Sequence, residues 1–291
     1  MNLSPDNLLR LGSLIERPYG LVLCVGPTGS GKTTTLHSAL GHINTPERKI
    51  WTAEDPVEIT QAGLRQVQVN PKIDWTFAKA LRAFLRADPD VIMVGEARDA
   101  ETAHMVVEAS LTGHLVFSTL HTNTASETIT RLIDLGVDPF NFADALLGVL
   151  AQRLVRRLCP HCRTERPASA EEIEELLSDY LGTAPNAGAR LVRKTTAAEW
   201  QHRHGRDGVL MRYGSAGCPR CGGTGLLGRI AIHELMVSNQ ELRHLIQTRA
   251  TPAELLACAT RNGMQTLRQD GIEKVLQGLT TIEEVRATSN Q

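Results

Sequence analysis

The run Gly26-Pro27-Thr28-Gly29-Ser30-Gly31-Lys32-Thr33, a glycine, four residues and then Gly-Lys-Thr, constrains this chain more than any other feature. Glycines at this spacing let backbone N–H groups turn inward around a phosphate. The helix that follows adds the positive end of its dipole, and the lysine a mobile ammonium. The surroundings agree: the apolar stretch 21–25 reads as a buried parallel strand feeding the loop, and 34–40 as the opening of a helix behind it. Gly26, Thr28, Gly29, Ser30, Gly31, Lys32, Thr33 and Thr34 are therefore the expected nucleotide contacts, with Lys32 on the β- and γ-phosphates and the Thr33 hydroxyl on Mg²⁺. A glycine-rich turn with a chance Gly-Lys-Thr is the bland alternative, and the strand in front speaks against it.

At 291 residues the chain can hold a main domain and a smaller module. Hydrophobic residues at 42% and charged ones at 22% exclude a disordered or fibrous class. Lys+Arg 31 against Asp+Glu 32 leaves a net charge of -1, which argues against gripping a nucleic-acid backbone, so no direct nucleic-acid binding is expected. No apolar run reaches membrane-span length, and Met1-Asn2-Leu3-Ser4-Pro5-Asp6 lacks signal-peptide character. A cytoplasmic setting is expected, in which the six cysteines read as thiols or metal ligands.

Up to residue 155 short apolar strands (21–25, 49–52, 67–69, 91–94, 115–119) alternate with amphipathic helices (75–85, 100–111), which predicts an α/β domain on a mainly parallel sheet. Residues 156–227 are broken by Pro, Gly and polar residues around one helical piece at 170–181, and 228–291 is expected to form a C-terminal helical subdomain. Hydrolysis of a phosphoanhydride needs an acid near the metal and a group that orients water, both at strand ends facing the phosphates. The apolar strand 91–94 leads to Gly95-Glu96, the Walker B position, so Glu96 is expected to act on Mg²⁺ through water. Glu54 opens the acidic cluster Glu54-Asp55-Pro56-Val57-Glu58 after the second strand and is expected to orient or deprotonate the water, with Glu58 a further candidate. His114 and His121 flank the strand 115–119; His121, at its carboxyl end, is the better placed γ-phosphate sensor.

Cys159-Pro160-His161-Cys162 and Cys218-Pro219-Arg220-Cys221 are two C-x-x-C knuckles. Each supplies two thiolates, and together they complete a tetrahedral zinc site; a redox pair is the competing reading of one such turn, and two favour zinc. The long gap between them matches no compact zinc ribbon, so an insert must fold on top. Cys24 and Cys258 read as inert core thiols.

Taken in order, the phosphate loop, the Glu54 to Glu58 box, Arg65-Gln66-Val67-Gln68-Val69-Asn70, Val94-Gly-Glu-Ala-Arg-Asp99, the His114 to Asn123 box, the four cysteines and Gly228-Arg229-Ile230 resemble the secretion ATPase superfamily, most of all its type II secretion and type IV pilus assembly ATPases. The resemblance implies a RecA-like core with a tetracysteine zinc-binding subdomain, an ATPase using ATP, Mg²⁺ and Zn²⁺. It also implies a homo-hexameric ring peripheral to the inner membrane, working through an inner-membrane platform protein. Members of this family carry an N-terminal domain whose arginines reach the nucleotide. This chain begins just ahead of the core strand and is expected to be the C-terminal ATPase domain, mostly monomeric and slow on its own. Two alternatives remain open: a retraction or DNA-uptake ATPase of the same superfamily, of which the retraction type resembles the core without the tetracysteine insert, and a non-hydrolysing nucleotide-dependent scaffold.

Overall fold

The computed structural model describes residues 2–182 and 189–289. It divides into two compact units that are not consecutive in sequence: Leu3–Gln152 with Glu234–Met264, and Arg153–His233 with the chain from Gln265 on. Of the segment 228–291, expected as one helical subdomain, 234–264 falls in the first unit, and 228–233 and the chain from Gln265 on fall in the second.

The first unit holds α1 (Pro5–Ile15), β1 (Gly20–Val25), α2 (Lys32–Ile43), β2 (Ile50–Glu54), β3 (Leu64–Gln68), α3 (Phe77–Phe84), β4 (Val91–Val94), α4 (Ala100–Leu111), β5 (Leu115–Leu120), α5 (Ala125–Asp134) and α6 (Pro139–Ala145). The chain leaves it within β6 (Leu146–Leu158). The second unit adds β7 (Arg163–Pro167), α7 (Ala170–Leu181), α8 (Ala189–His204) and β8 (Met211–Ser215), and β9 (Leu226–Val237) leads back to α9 (Gln240–Gln247) and α10 (Pro252–Arg261) of the first. Last come α11 (Leu267–Leu276) and α12 (Ile282–Thr288).

The main sheet runs β3-β2-β4-β5-β1-β6-β9, and every pairing from β3 through β6 is parallel. This is the expected α/β architecture. A parallel strand covered on both faces is apolar throughout, and all six residues of β1 are buried. They alternate between two cores: Leu21, Leu23 and Val25 join the layer of α3 to α6, α9 and α10, whereas Val22 and Cys24 join that of α1 and α2. The long strands β6 and β9 were not legible as strands, since Leu-Leu-Gly-Val-Leu-Ala-Gln-Arg-Leu-Val also fits a helical spacing.

In the second unit β7 and β8 form an antiparallel pair, from Arg163 opposite Ser215 to Pro167 opposite Met211. Helix α7 opens with a capping box, Ser169 and Glu172 each accepting the other's backbone N–H, a device worth about 1 kcal/mol. Its Leu176 and Leu177 pack with Trp200 of α8 and with Ile272, Val275 and Leu276 of α11. The insert between the two cysteine pairs therefore shares an apolar core with the C-terminal helices α11 and α12. Among the described residues no helix is long and apolar enough to cross a membrane.

Candidate functional site

Four neighbouring strands, β2, β4, β5 and β1, bring their carboxyl ends to one edge of the sheet. β1 delivers the phosphate loop, β2 ends in Glu54, β4 leads into Gly95-Glu96, and His121 directly follows β5. The loop is shaped by its glycines. Gly26 has φ +149°, and a Cβ there would lie 2.3 Å from the carbonyl oxygen of Gln152. Gly31, at φ +87°, is the N-cap of α2 and, lacking a side chain, leaves the helix's first N–H groups without a side-chain cap. Lys32 Nζ donates to the carbonyls of Gly26 (2.8 Å) and Pro27 (3.1 Å), and burial pulls its ammonium below the ordinary lysine range.

Gln152 joins the loop to its helix and carries no sequence signal beyond being a lone amide in an apolar run. Buried on β6, its Nε2 donates to the Ser30 carbonyl at 2.6 Å and its Oε1 accepts from the Thr35 hydroxyl at 2.7 Å.

Glu54 is 3% exposed. Its Oε1 accepts from Thr52 Oγ1 (2.6 Å) and Gln66 Nε2 (3.0 Å), and its Oε2 faces His37 Nε2 at 3.1 Å. Burial alone would raise this carboxyl, but the hydrogen bonds from His37, Gln66 and Thr52 outweigh it and hold the group below the usual glutamate range. Glu96 lies between Arg98 Nε at 2.6 Å and His121 Nε2 at 3.0 Å. The residue before it is pinned: Gly95 N–H donates to the Ala53 carbonyl (2.8 Å), and Thr119 Oγ1 donates to the Gly95 carbonyl (2.6 Å). Thr33, Glu54, Glu58, Glu96, Arg98 and Thr119 together line a cavity of about 90 Å³. Arg98, standing in the Gly-Glu-Ala-Arg-Asp run, is the cation there to which sequence reasoning attached no role.

His114 is not brought to this edge. It stands at the amino end of β5, its Nδ1 donating to the Ala109 carbonyl at 3.0 Å. The six-residue strand between it and His121 spans roughly 20 Å at about 3.3 Å per residue.

In the second unit Cys159, Cys162, Cys218 and Cys221 converge, their sulfurs all within 4.8 Å of one another. The pairs Cys159–Cys218 and Cys162–Cys221 are 3.8 Å apart and Cys218–Cys221 3.7 Å. A tetrahedral zinc with bonds of about 2.3 Å needs sulfurs about 3.8 Å apart, so the donor set fits that ion. The backbone N–H groups of Cys218 (3.2 Å) and Gly225 (3.3 Å) donate to Cys221 Sγ. Against burial, these help bring Cys221 down to about 6, while burial and the neighbouring thiols push Cys162 up to about 12.

The family model described as type II/IV secretion system protein matches residues 1–287. The type IV pilus assembly ATPase PilB of Thermus thermophilus is 50% identical over 287 residues, which are 99% of this chain and 30% of that protein. Type II secretion system protein E of Pectobacterium carotovorum is 47% identical over 98% of this chain and 51% of its own length. Type II secretion system ATPase E of Vibrio cholerae is 46% identical with the same two coverages. The chain thus spans about half or less of these curated relatives. Among solved structures, the pilus retraction motor PilT with bound ADP superposes with a TM-score of 0.65 at 31% identity, over 99% of this chain and 65% of that one. The Legionella pneumophila ATPase DotB gives 0.62 at 27%, over 99% and 63%.

Proposed function

Because this chain belongs to the type II/IV secretion system protein family, we propose that it is the ATP-hydrolysing motor domain of a machine that assembles a pilus or pseudopilus or drives type II protein secretion. One observation carries the reading: a single edge of a parallel sheet gathers a phosphate loop, two carboxylates and a histidine, with Thr33, Glu54 and Glu96 lining one cavity there. In this reading Gly26, Thr28 to Gly31 and Thr34 surround the phosphates with N–H groups, and Lys32 leaves the Gly26 and Pro27 carbonyls to meet them. Glu54 accepts a hydrogen bond from the attacking water and so orients it. His121, beside Glu96, senses the terminal phosphate. Thr33 and Glu96 would hold Mg²⁺, which when bound offsets charge on the β- and γ-phosphates. Cys159, Cys162, Cys218 and Cys221 would hold a structural zinc, with no open position for catalysis.

The working assembly in this reading is a homo-hexameric ring at the cytoplasmic face of the inner membrane, engaging a platform protein. Assembly or secretion is favoured over retraction because the relatives at 46% to 50% identity carry those names, against 31% for the retraction motor. The test is ATP binding and phosphate release by the purified chain and its Lys32→Ala variant. Loss of binding or turnover in the variant is expected; unchanged affinity and turnover would sink the assignment.

A further inference from the structure

The helix that starts at the phosphate loop makes a second, buried attachment to the site. We propose that His37 is a positioning residue for hydrolysis, fixing the Glu54 carboxylate to that helix. This rests on the reading of Glu54 as the group that orients water.

His37 follows Thr33 by four residues on α2, so the two share one helix face, one turn apart. Its side chain is 4% exposed, and its Nε2 lies 3.1 Å from Glu54 Oε2. Gln61 closes the other side of the ring. Turned so that its oxygen takes the Gly41 N–H at 3.2 Å, the Gln61 amide places its nitrogen 3.1 Å from His37 Nδ1 and 3.2 Å from the His37 carbonyl, which satisfies every group around it. Nδ1 is then an acceptor, the ring proton sits on Nε2, and it is donated to Glu54. Were the ring doubly protonated and the amide reversed, Nε2–H would still face the carboxylate. Gly41 makes room for this amide, since a Cβ there would come within 2.7 Å of it. The circle closes through Gln66, whose oxygen accepts the Gln61 N–H at 2.8 Å while its nitrogen donates to Glu54 Oε1 at 3.0 Å.

Such a carboxylate is a poor proton acceptor but a rigid one, so what it contributes is direction. The phosphates are held by the first turn of α2 and the water by Glu54, and His37 sets the spacing between them. Misplacing a reacting group by about 1 Å is enough to cost about 100-fold in rate.

The experiment is steady-state ATP turnover by the full chain carrying His37→Leu, His37→Gln, Glu54→Gln, and His37→Leu with Glu54→Gln together. His37→Leu should lower kcat by about 10- to 100-fold and leave KM for ATP within about twofold. His37→Gln, whose amide can offer an N–H to the same oxygen, should recover most of that loss. The double variant should be no slower than Glu54→Gln alone, because one residue acts through the other. Additive losses, or wild-type turnover in His37→Leu, overturn the role of His37 and leave that of Glu54 standing. Wild-type turnover in Glu54→Gln overturns both. If His37→Leu does not bind ATP as a folded protein, Gln61→Leu carries the test: a lower kcat at unchanged KM is expected, and an unchanged kcat overturns the proposal.

Discussion

At the scale of single residues, Glu54 carries the most specific expectations. Replacing it by glutamine keeps the size and removes the charged acceptor. ATP should still bind while turnover falls by about 100-fold or more, as read by phosphate release beside equilibrium nucleotide binding; equal losses in both would make the residue structural. The same carboxyl makes stability depend on pH. Its folded-state value lies below the ordinary one, so its contribution is present above the ordinary carboxylate range and is lost as pH falls through the folded value. Melting curves of the chain and its Glu54→Gln variant should therefore differ at neutral pH and converge only once the pH has fallen below the ordinary glutamate range. Glu54, Glu96 and the phosphate loop were legible because each sits where an apolar run ends. His37 and Gln152 were not: one reads as an ordinary helical position and the other as an interruption in an apolar run, and only the three-dimensional neighbourhood gives either a partner.

Among the elements, those with a clean period were plain in the sequence. Strand β4 and helices α4 and α7 begin and end where their patterns do, and β1 and β5 extend by a residue at one end. β3 was expected at 67–69 and runs Leu64–Gln68, because its half-buried alternation of polar and apolar residues offers no solid block to mark it. The pairing of the cysteines was legible as well, since two C-x-x-C turns have few other uses, but the fold of the chain between them was not. The element-scale prediction concerns this module. Protein purified without chelator should hold one zinc per chain by metal analysis, and Cys218→Ser should abolish it and make the second unit sensitive to protease while ATP binding persists. Substoichiometric zinc with four titratable thiols would count against the site.

For the molecule as a whole, the proposed ring would make activity depend on concentration. Phosphate release per subunit should rise as the chain is concentrated, in step with the larger species seen by sedimentation; a specific activity independent of concentration would speak against a ring. The place of β1 in the sheet has a mechanical consequence. Flanked by β5 on one side and β6 on the other, it is no edge strand that can be unzipped one bond at a time. A pull on the phosphate loop along the strand loads two parallel ladders in shear, so the loop hangs from one of the points in the sheet that are hardest to tear loose.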